Sequence, residues 1–433
     1  MEWHEFSKEY FEIEKARLKN GPLEGVVVLD VSRASPSATF ASALLAEMGA
    51  EVIKIEPPEG DELRKLSPFG EFYLEDTGLP FLIEGRNKEF ITLNLEKEEG
   101  RELFKRLAVH ADAILEAFEP GWMDSMGIGY RQIREINPGV IWVSFSAYGS
   151  FGKDAKKFSK VPDSNLFGVA MSSYMEANRE LPEAGEPYNL PTAPGFWMAT
   201  NLAGVYAAAG VVLALYYRMK SGKGQMIDIT SVDSMVHIAP SIFWSHAHGE
   251  PLFVGVLPLD YAVFPYAYWK IKDGYVFASG FTDPNFRALI TQLGAEELFE
   301  KYPNVFARIK LENQKVLYRE LAEKFEQLTF ADLTERMLEW REQNREGVAV
   351  YMKITTPKEV LEENYWKERG DFRDVKVGED TIKVVEPVWR LSKTPLKLKW
   401  LAKGIGEDNG FVYKKFLGLA GKDLEELKKT DLI

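Results

Sequence analysis

No cysteine occurs anywhere in the 433 residues, which excludes disulfides, thiolate-ligated metals and a cysteine nucleophile. Basic blocks are missing too. The 66 acidic side chains outnumber 53 basic ones for a formal charge of -13, and both are dispersed. General attraction to nucleic acid or to an anionic membrane is therefore not expected, and any bound anion must be gripped locally. Histidine is scarce: of His4, His110, His237, His246 and His248, only the last two are close, in a loop-like stretch without a neighbouring carboxylate. That is a poor metal signal, and no metal site is expected. A G-x-S-x-G elbow, a P-loop and a glycine-rich dinucleotide fingerprint are absent, which demotes the commonest hydrolase, NTPase and nicotinamide or flavin readings. Met1 to Gly21 is charged throughout and lacks an apolar core, so a secretory signal is not expected and the cytoplasm is the expected location.

What the chain does have is length and apolar content, 45% hydrophobic and 13% aromatic, enough for two domains with sizeable cores. Gly195 to Tyr217 runs without a charge and is long enough to span a bilayer. It is rich in Ala and Gly, carries Thr200 and Asn201 early and has no second span, so a buried core helix is expected rather than a membrane segment.

Gly25 to Ile55 reads as a βαβ unit: apolar Val26 to Val31, a Ser35-Pro36 step, then Phe40, Leu44, Leu45 and Met48 at helical spacing, Gly49 as cap, and Glu51 to Ile55 extended. The alternation continues with Phe90 to Leu95, Gly100 to His110, Ala113 to Phe118, Tyr130 to Glu135 and Val140 to Phe145. This predicts an α/β fold with a doubly wound, Rossmann-like parallel sheet in a large domain over 1–248. A smaller α+β domain is expected over 249–384, with strands at Tyr266 to Trp269 and Tyr275 to Ala278 and a helical stretch from Glu296 to Glu342. Residues 385–433, with a final helix at Lys422 to Lys429, are expected to return to the large domain.

The turn Ser32-Arg33-Ala34-Ser35-Pro36-Ser37 lies at a helix N-terminus, where free N–H groups and the dipole favour an anion and Arg33 adds a cation. An ordinary βα turn capped by Ser35 explains the same residues equally well. Glu56-Pro57-Pro58 ends the second strand where such folds bind ribose, although turn chemistry accounts for it more simply.

Eight strings in fixed order carry a resemblance over nearly the whole chain. They are GPLEGVVVLDVSR from Gly21, LLAEMGAEVIKIEPPEGDELR from Leu44, NKEFITLNL from Asn87, GRELFKRLAVHADAILEAF from Gly100, PGWMDSMGIGY from Pro120, INPGVIWVSFSAYG from Ile136, SGKGQMIDIT from Ser221 and FLGLAGKDLEELKK from Phe416. In these the chain resembles the family III CoA-transferases, the carnitine and bile-acid inducible group. The resemblance implies an interlocked dimer and a coenzyme A thioester as substrate rather than a tightly bound cofactor. It places the nucleotide near Arg33, Ser35, the Leu93, Asn94 and Leu95 segment, and Phe118. It also implies a nucleophilic aspartate that takes up first the acyl group as an anhydride and then CoA as a thioester.

That aspartate stands in a Gly-Asp step ten residues before the glycine that opens the last turns of the long helix. Counting back from Gly210 reaches Thr200. Other departures accompany it: the family's Tyr-Asp or Tyr-Glu pair reads Ser164-Asn165, the glutamine four positions on is Val169, and Asn-Phe before Pro-Gly reads Ala117-Phe118. The arginine of that turn is Glu119, and the usual Gly-Pro after the fifth strand is Gly152-Lys153. The pattern implies a non-catalytic subunit whose partner is a homologous, aspartate-bearing chain, with no nucleic acid or membrane partner. In this it resembles the aspartate-lacking subunit of the succinyl-CoA-dependent benzylsuccinate CoA-transferases of anaerobic toluene degradation. Two alternatives stay open: a transferase or racemase using another acid, such as Asp228 or Asp163, and an acyl-CoA binding or sensing module.

Overall fold

The computed structural model describes residues 2–11, 19–68, 70–74, 77–177, 190–195, 197–238, 243, 247, 264–343 and 345–433. His246 and His248, and the expected domain boundary at 248–249, lie outside the described residues. The chain divides into two units, 1–172 with 195–237 and 364–433, and 173–194 with 238–363.

In the first unit the alternation of apolar runs gives a six-stranded sheet. Its strands are β1 (Val27–Asp30), β2 (Glu51–Glu56), β3 (Lys88–Thr92), β4 (Ala113–Glu116), β5 (Ile141–Phe145) and β6 (Gln225–Ile229). They run in the order β3-β2-β1-β4-β5-β6, every pair parallel. β4 and β5 are buried along their whole length, as a parallel sheet covered on both faces requires. Period-two alternation sends Leu29, Ile53 and Ile114 to one face and Val28, Val52 and Leu115 to the other. The first face is covered by α3 (Glu98–Ala108), α4 (Tyr130–Ile136), α11 (Asn409–Leu417) and α12 (Lys422–Lys429). The second is covered by α1 (Pro36–Glu47) and α6 (Met198–Ser221).

Helix α6 is the long uncharged run. It is long and apolar enough to cross a membrane, yet half of its most apolar window is buried in the core. Ala203, Gly204, Ala207 and Ala208 let it lie close against α1. The C-terminal return covers the sheet edge at β3: Phe90 N–H donates to Asp408 (2.8 Å), Thr92 N–H to Asn409 (2.9 Å), and Tyr413 Oη to the Thr92 carbonyl (2.7 Å). An edge that would otherwise offer unpaired amides is thereby satisfied. Helix α2 (Leu79–Glu84) packs with the hairpin of β10 (Phe372–Val377) and β11 (Asp380–Val385). The expectation placed 364–384 in the small domain. Instead Val377 and Val384 bury their side chains against Phe81, Leu82 and Phe90 of the first unit.

The second unit is α+β. An antiparallel sheet, β7 (Tyr266–Ile271), β8 (Gly274–Ser279) and β9 (Val350–Lys353) in the order β9-β8-β7, carries α8 (Asp283–Leu293), α9 (Leu311–Phe325) and α10 (Phe330–Glu342). Trp269 stacks on Phe325 at 4.7 Å in its core. The expected single helical stretch from Glu296 is four helices, with Asn304 and Thr329 capping two of them.

Candidate active site

The strand order reverses between β1 and β4, and ligands of doubly wound folds sit outside the carboxyl ends of the strands at that point. Two turns meet there. One leaves β1 through Ser32 to Ser35 and enters α1, where Pro36 occupies the first helical position and Ser35 Oγ accepts the Ala38 N–H (3.2 Å). The other leaves β4 through Ala117 to Gly121. Across the gap the Arg33 guanidinium lies 5.5 Å from the Phe118 ring, and Phe118 stacks on Trp122 at 4.4 Å. Arg33 has no carboxylate partner among the described residues. A cation over a stacked aromatic pair is a surface that suits a flat, anionic ligand.

The first turn is less open to an anion than its sequence implies. Ser32 N–H donates to Asp30 (3.2 Å) and Ala34 N–H to Asp61 (3.1 Å), so two of its amides already hold carboxylates. Ala34 is left-handed, with φ 49°, and this contact with Asp61 helps to fix it there. Lys54 braces the arrangement from β2, donating to the Ser32 carbonyl (2.5 Å) and pairing with Asp61 (2.9 Å). Asp30, Lys54, Asp61 and Lys88 are all buried. Burial opposes ionisation of Asp30, but Lys54, Lys88 and the hydroxyls of Ser32 and Ser42 hold its carboxyl below its ordinary value. The Lys88 ammonium donates to the Thr39 carbonyl (2.9 Å) and pairs with Asp30 (3.6 Å), and burial lowers it to about 8.

Beyond β4 the crevice is acidic. A cavity of about 600 Å³ is lined by Glu116, Glu119, Asp124, Asp228, Trp142 and Arg131, among others. Burial pushes Glu116 up to about 7 against the hydrogen bonds of Ser144 and the Phe118 N–H. Glu119 accepts from Ser159 (2.7 Å), Asp228 from Ser150 (2.8 Å) and Asp124 from Arg131 (2.9 Å). Among the described residues no group of acids or histidines could hold a metal ion.

Thr200 lies in the first turn of α6, fully buried, its hydroxyl donating to the Trp197 carbonyl (3.2 Å). Asn165, at the start of α5 (Asn165–Met171), accepts the Ala199 N–H (2.8 Å) and ties the two helix starts together. Asn201 faces a cleft with Pro36, Thr39, Leu66, Phe81 and Trp197, and the volume there is about 20 Å³, room for one water-sized molecule. Asp163, weighed as a substitute acid, receives the hydroxyls of Ser37 (2.9 Å) and of Ser231 (2.5 Å), the first residue of α7 (Ser231–Ile238); burial raises its carboxyl, which these bonds only partly offset.

Of the residues singled out in sequence, Arg33, Ser35 and Phe118 converge on the switch point. Leu93, Asn94 and Leu95 do not: they follow β3, two strands from β1, and roughly 10 Å separates such strands. Leu93 and Leu95 are core side chains, while Asn94 donates its N–H to the Leu432 carbonyl (2.8 Å) and its amide to that of Asp431 (3.2 Å). The segment anchors the C-terminus. Lys54, Asp61 and Trp122 were not anticipated. Lys54 carried a signal, since a charge inside the apolar strand EVIKIE of a sheet buried on both faces needs a partner.

Comparison with known proteins adds four findings. The chain matches the profile of CoA-transferase family III over residues 23–409. It is 31% identical over 422 residues to the succinyl-CoA–D-citramalate CoA-transferase of Chloroflexus aurantiacus, covering 95% of this chain and 98% of that protein. The beta subunit of the succinyl-CoA–L-malate CoA-transferase of the same organism is 28% identical, with coverage of 95% and 98%. The crystal structure of a CAIB/BAIF family protein from Brucella suis matches with a TM-score of 0.74 and 27% identity, covering 92% of this chain and 100% of that one.

Proposed function

This chain belongs to CoA-transferase family III, and from that premise we propose that it is the non-catalytic subunit of a cytoplasmic, heteromeric CoA-transferase. In this reading it is interlocked with a homologous subunit that carries the nucleophilic aspartate. The observation that carries the proposal is Thr200. It stands where the family resemblance puts the aspartate, it is fully buried, and its hydroxyl is spent on its own helix. Acyl transfer through a side chain needs an exposed, activated nucleophile. The acids that could substitute are engaged: Asp163 with two serines and Asp228 with Ser150.

The nucleotide of an acyl-CoA would meet Arg33, Ser35 and Phe118, with Trp122 beneath the ring. Its phosphates would find two turn amides already occupied by Asp30 and Asp61, and Glu119 nearby. Weak coenzyme A binding by the isolated chain follows, because an uncompensated carboxylate repels a phosphate. The relatives' names support succinyl-CoA as the donor of the complex. We place the acceptor with the benzylsuccinate-type acids, on the shared loss of the aspartate.

The test is reconstitution. The purified chain should show no CoA transfer from succinyl-CoA, and addition of its homologous subunit should restore it. Thr200→Val should leave the activity of the complex unchanged. Turnover by the chain alone, abolished by Thr200→Val, would overturn the proposal.

A further inference from the structure

The N-terminal helix, Trp3–Phe11, precedes the residues matched to the family profile. Trp3 is 69% exposed, Phe6 and Phe11 are exposed as well, and the Trp3 and Phe6 rings lie 5.6 Å apart. Helical spacing gathers these three aromatics on one side. Glu2 and Glu5 are exposed and have no cation partner among the described residues. Nine residues are too few to hold a helix in water without a surface to pack on. A second exposed strip lies in the C-terminal return. From Pro387 to Gly406 the sequence carries Arg390, Lys393, Lys397, Lys399 and Lys403 and no acid, a local excess of cations in a chain of charge -13. Val388 is 76% exposed, with Trp389 and Leu391 exposed beside it. The strip is anchored from below: Leu396 and Leu398 are buried, Asn87 donates its amide to the Lys397 carbonyl (2.6 Å) and accepts the Lys399 N–H (2.6 Å), and Arg390 pairs with Asp371. Lys393 and Lys399 are exposed and have no carboxylate partner among the described residues.

We infer that the N-terminal helix docks its aromatic side on the strip of Val388, Trp389 and Leu391; the inference is independent of the subunit reading above. Tether, charge and area name this occupant. Residue 19 is already seated at the strip: Lys19 Nζ donates to the Ser392 carbonyl (2.8 Å), and the Lys19 carbonyl accepts from Lys397. Residues 12–18 reach at most about 25 Å when extended. A tether of that length keeps the helix at an effective concentration on the order of millimolar beside the strip. Glu2 and Glu5 bring acids to Lys393 and Lys399, which lack them, and opposite charges of this kind set register. From their fractional exposures the two faces each offer roughly 300–400 Å², the size at which an apolar patch on a monomer is often functional. An anionic bilayer suits the cations of the strip but repels the glutamates of the helix, so lipid leaves one of the two faces uncovered.

The experiment is hydrogen–deuterium exchange read by mass spectrometry on the full-length protein. In wild type the amides of Trp3–Phe11 should exchange at least tenfold more slowly than in Val388→Glu/Leu391→Glu, while the amides of β1 and β4 exchange alike in both and report that the fold is kept. A surface pair, Lys393→Glu/Lys399→Glu, touches no buried side chain and covers misfolding of the first variant. It should lose at least threefold of the protection, and adding Glu2→Lys/Glu5→Lys to it should restore wild-type exchange. Equal exchange of the helix in wild type and in the folded strip variants would overturn the inference. Protection that rises with protein concentration would assign the helix to a second copy, and protection that appears only with phosphatidylcholine/phosphatidylglycerol vesicles would assign it to lipid; either result overturns the docking.

Discussion

Glu116 shows how much a single side chain fixes at the switch point. Its carboxyl is raised from 4.5 to about 7, with burial the main cause, and it receives the Phe118 N–H at 2.9 Å. Between those two values the folded chain keeps a proton that the unfolded chain releases. The group's contribution to stability therefore falls as pH rises from about 4.5 to 7 and is lost above that. Glu116→Gln keeps an acceptor for the Phe118 N–H but cannot ionise. It should gain on wild type by on the order of 2 kcal/mol between pH 5 and pH 8 in urea unfolding. A pH-independent difference would mean that Glu116 ionises normally. The same scale sets what a sequence can disclose. Arg33, Ser35 and Phe118 were legible because they flank short βα turns. Asp61 was not, since its role depends on a contact with Ala34 across 27 residues, and the engagement of Asn94 with Asp431 spans 337.

At the scale of elements, the packing of α6 on α1 depends on one glycine. A Cβ on Gly204 meets the Ser37 carbonyl at 2.9 Å and the Ala41 nitrogen at 3.1 Å, both backbone atoms. On Gly210 it meets only Ile227, at an ordinary 3.4 Å. Gly204→Ala should therefore destabilise by about 1–3 kcal/mol, whereas Gly210→Ala should be neutral or stabilise by up to about 1 kcal/mol through helix propensity. Thermal unfolding of the two variants compares them directly, and equal shifts would contradict the close packing. Most elements were readable from apolar periodicity. The boundary of the second unit was not, because the β10–β11 hairpin alternates like any strand pair, and only Phe81, Leu82 and Phe90 show which unit it joins.

For the whole molecule, a family III core surrounds a fully buried Thr200. That core combines a parallel six-stranded sheet, the Lys54-braced turn and a covered β3 edge, while the Thr200 hydroxyl donates to the Trp197 carbonyl and the crevice is lined by carboxylates. That combination is the basis for assigning the chain a scaffolding role beside a catalytic homologue. Trapping the covalent intermediate tests it most directly. The complex is incubated with succinyl-CoA, treated with borohydride to reduce any aspartyl thioester, and each chain is weighed by intact-protein mass spectrometry. The account predicts an unchanged mass for this chain and a reduced carboxyl on its partner; a reduced carboxyl or acyl adduct on this chain would contradict it.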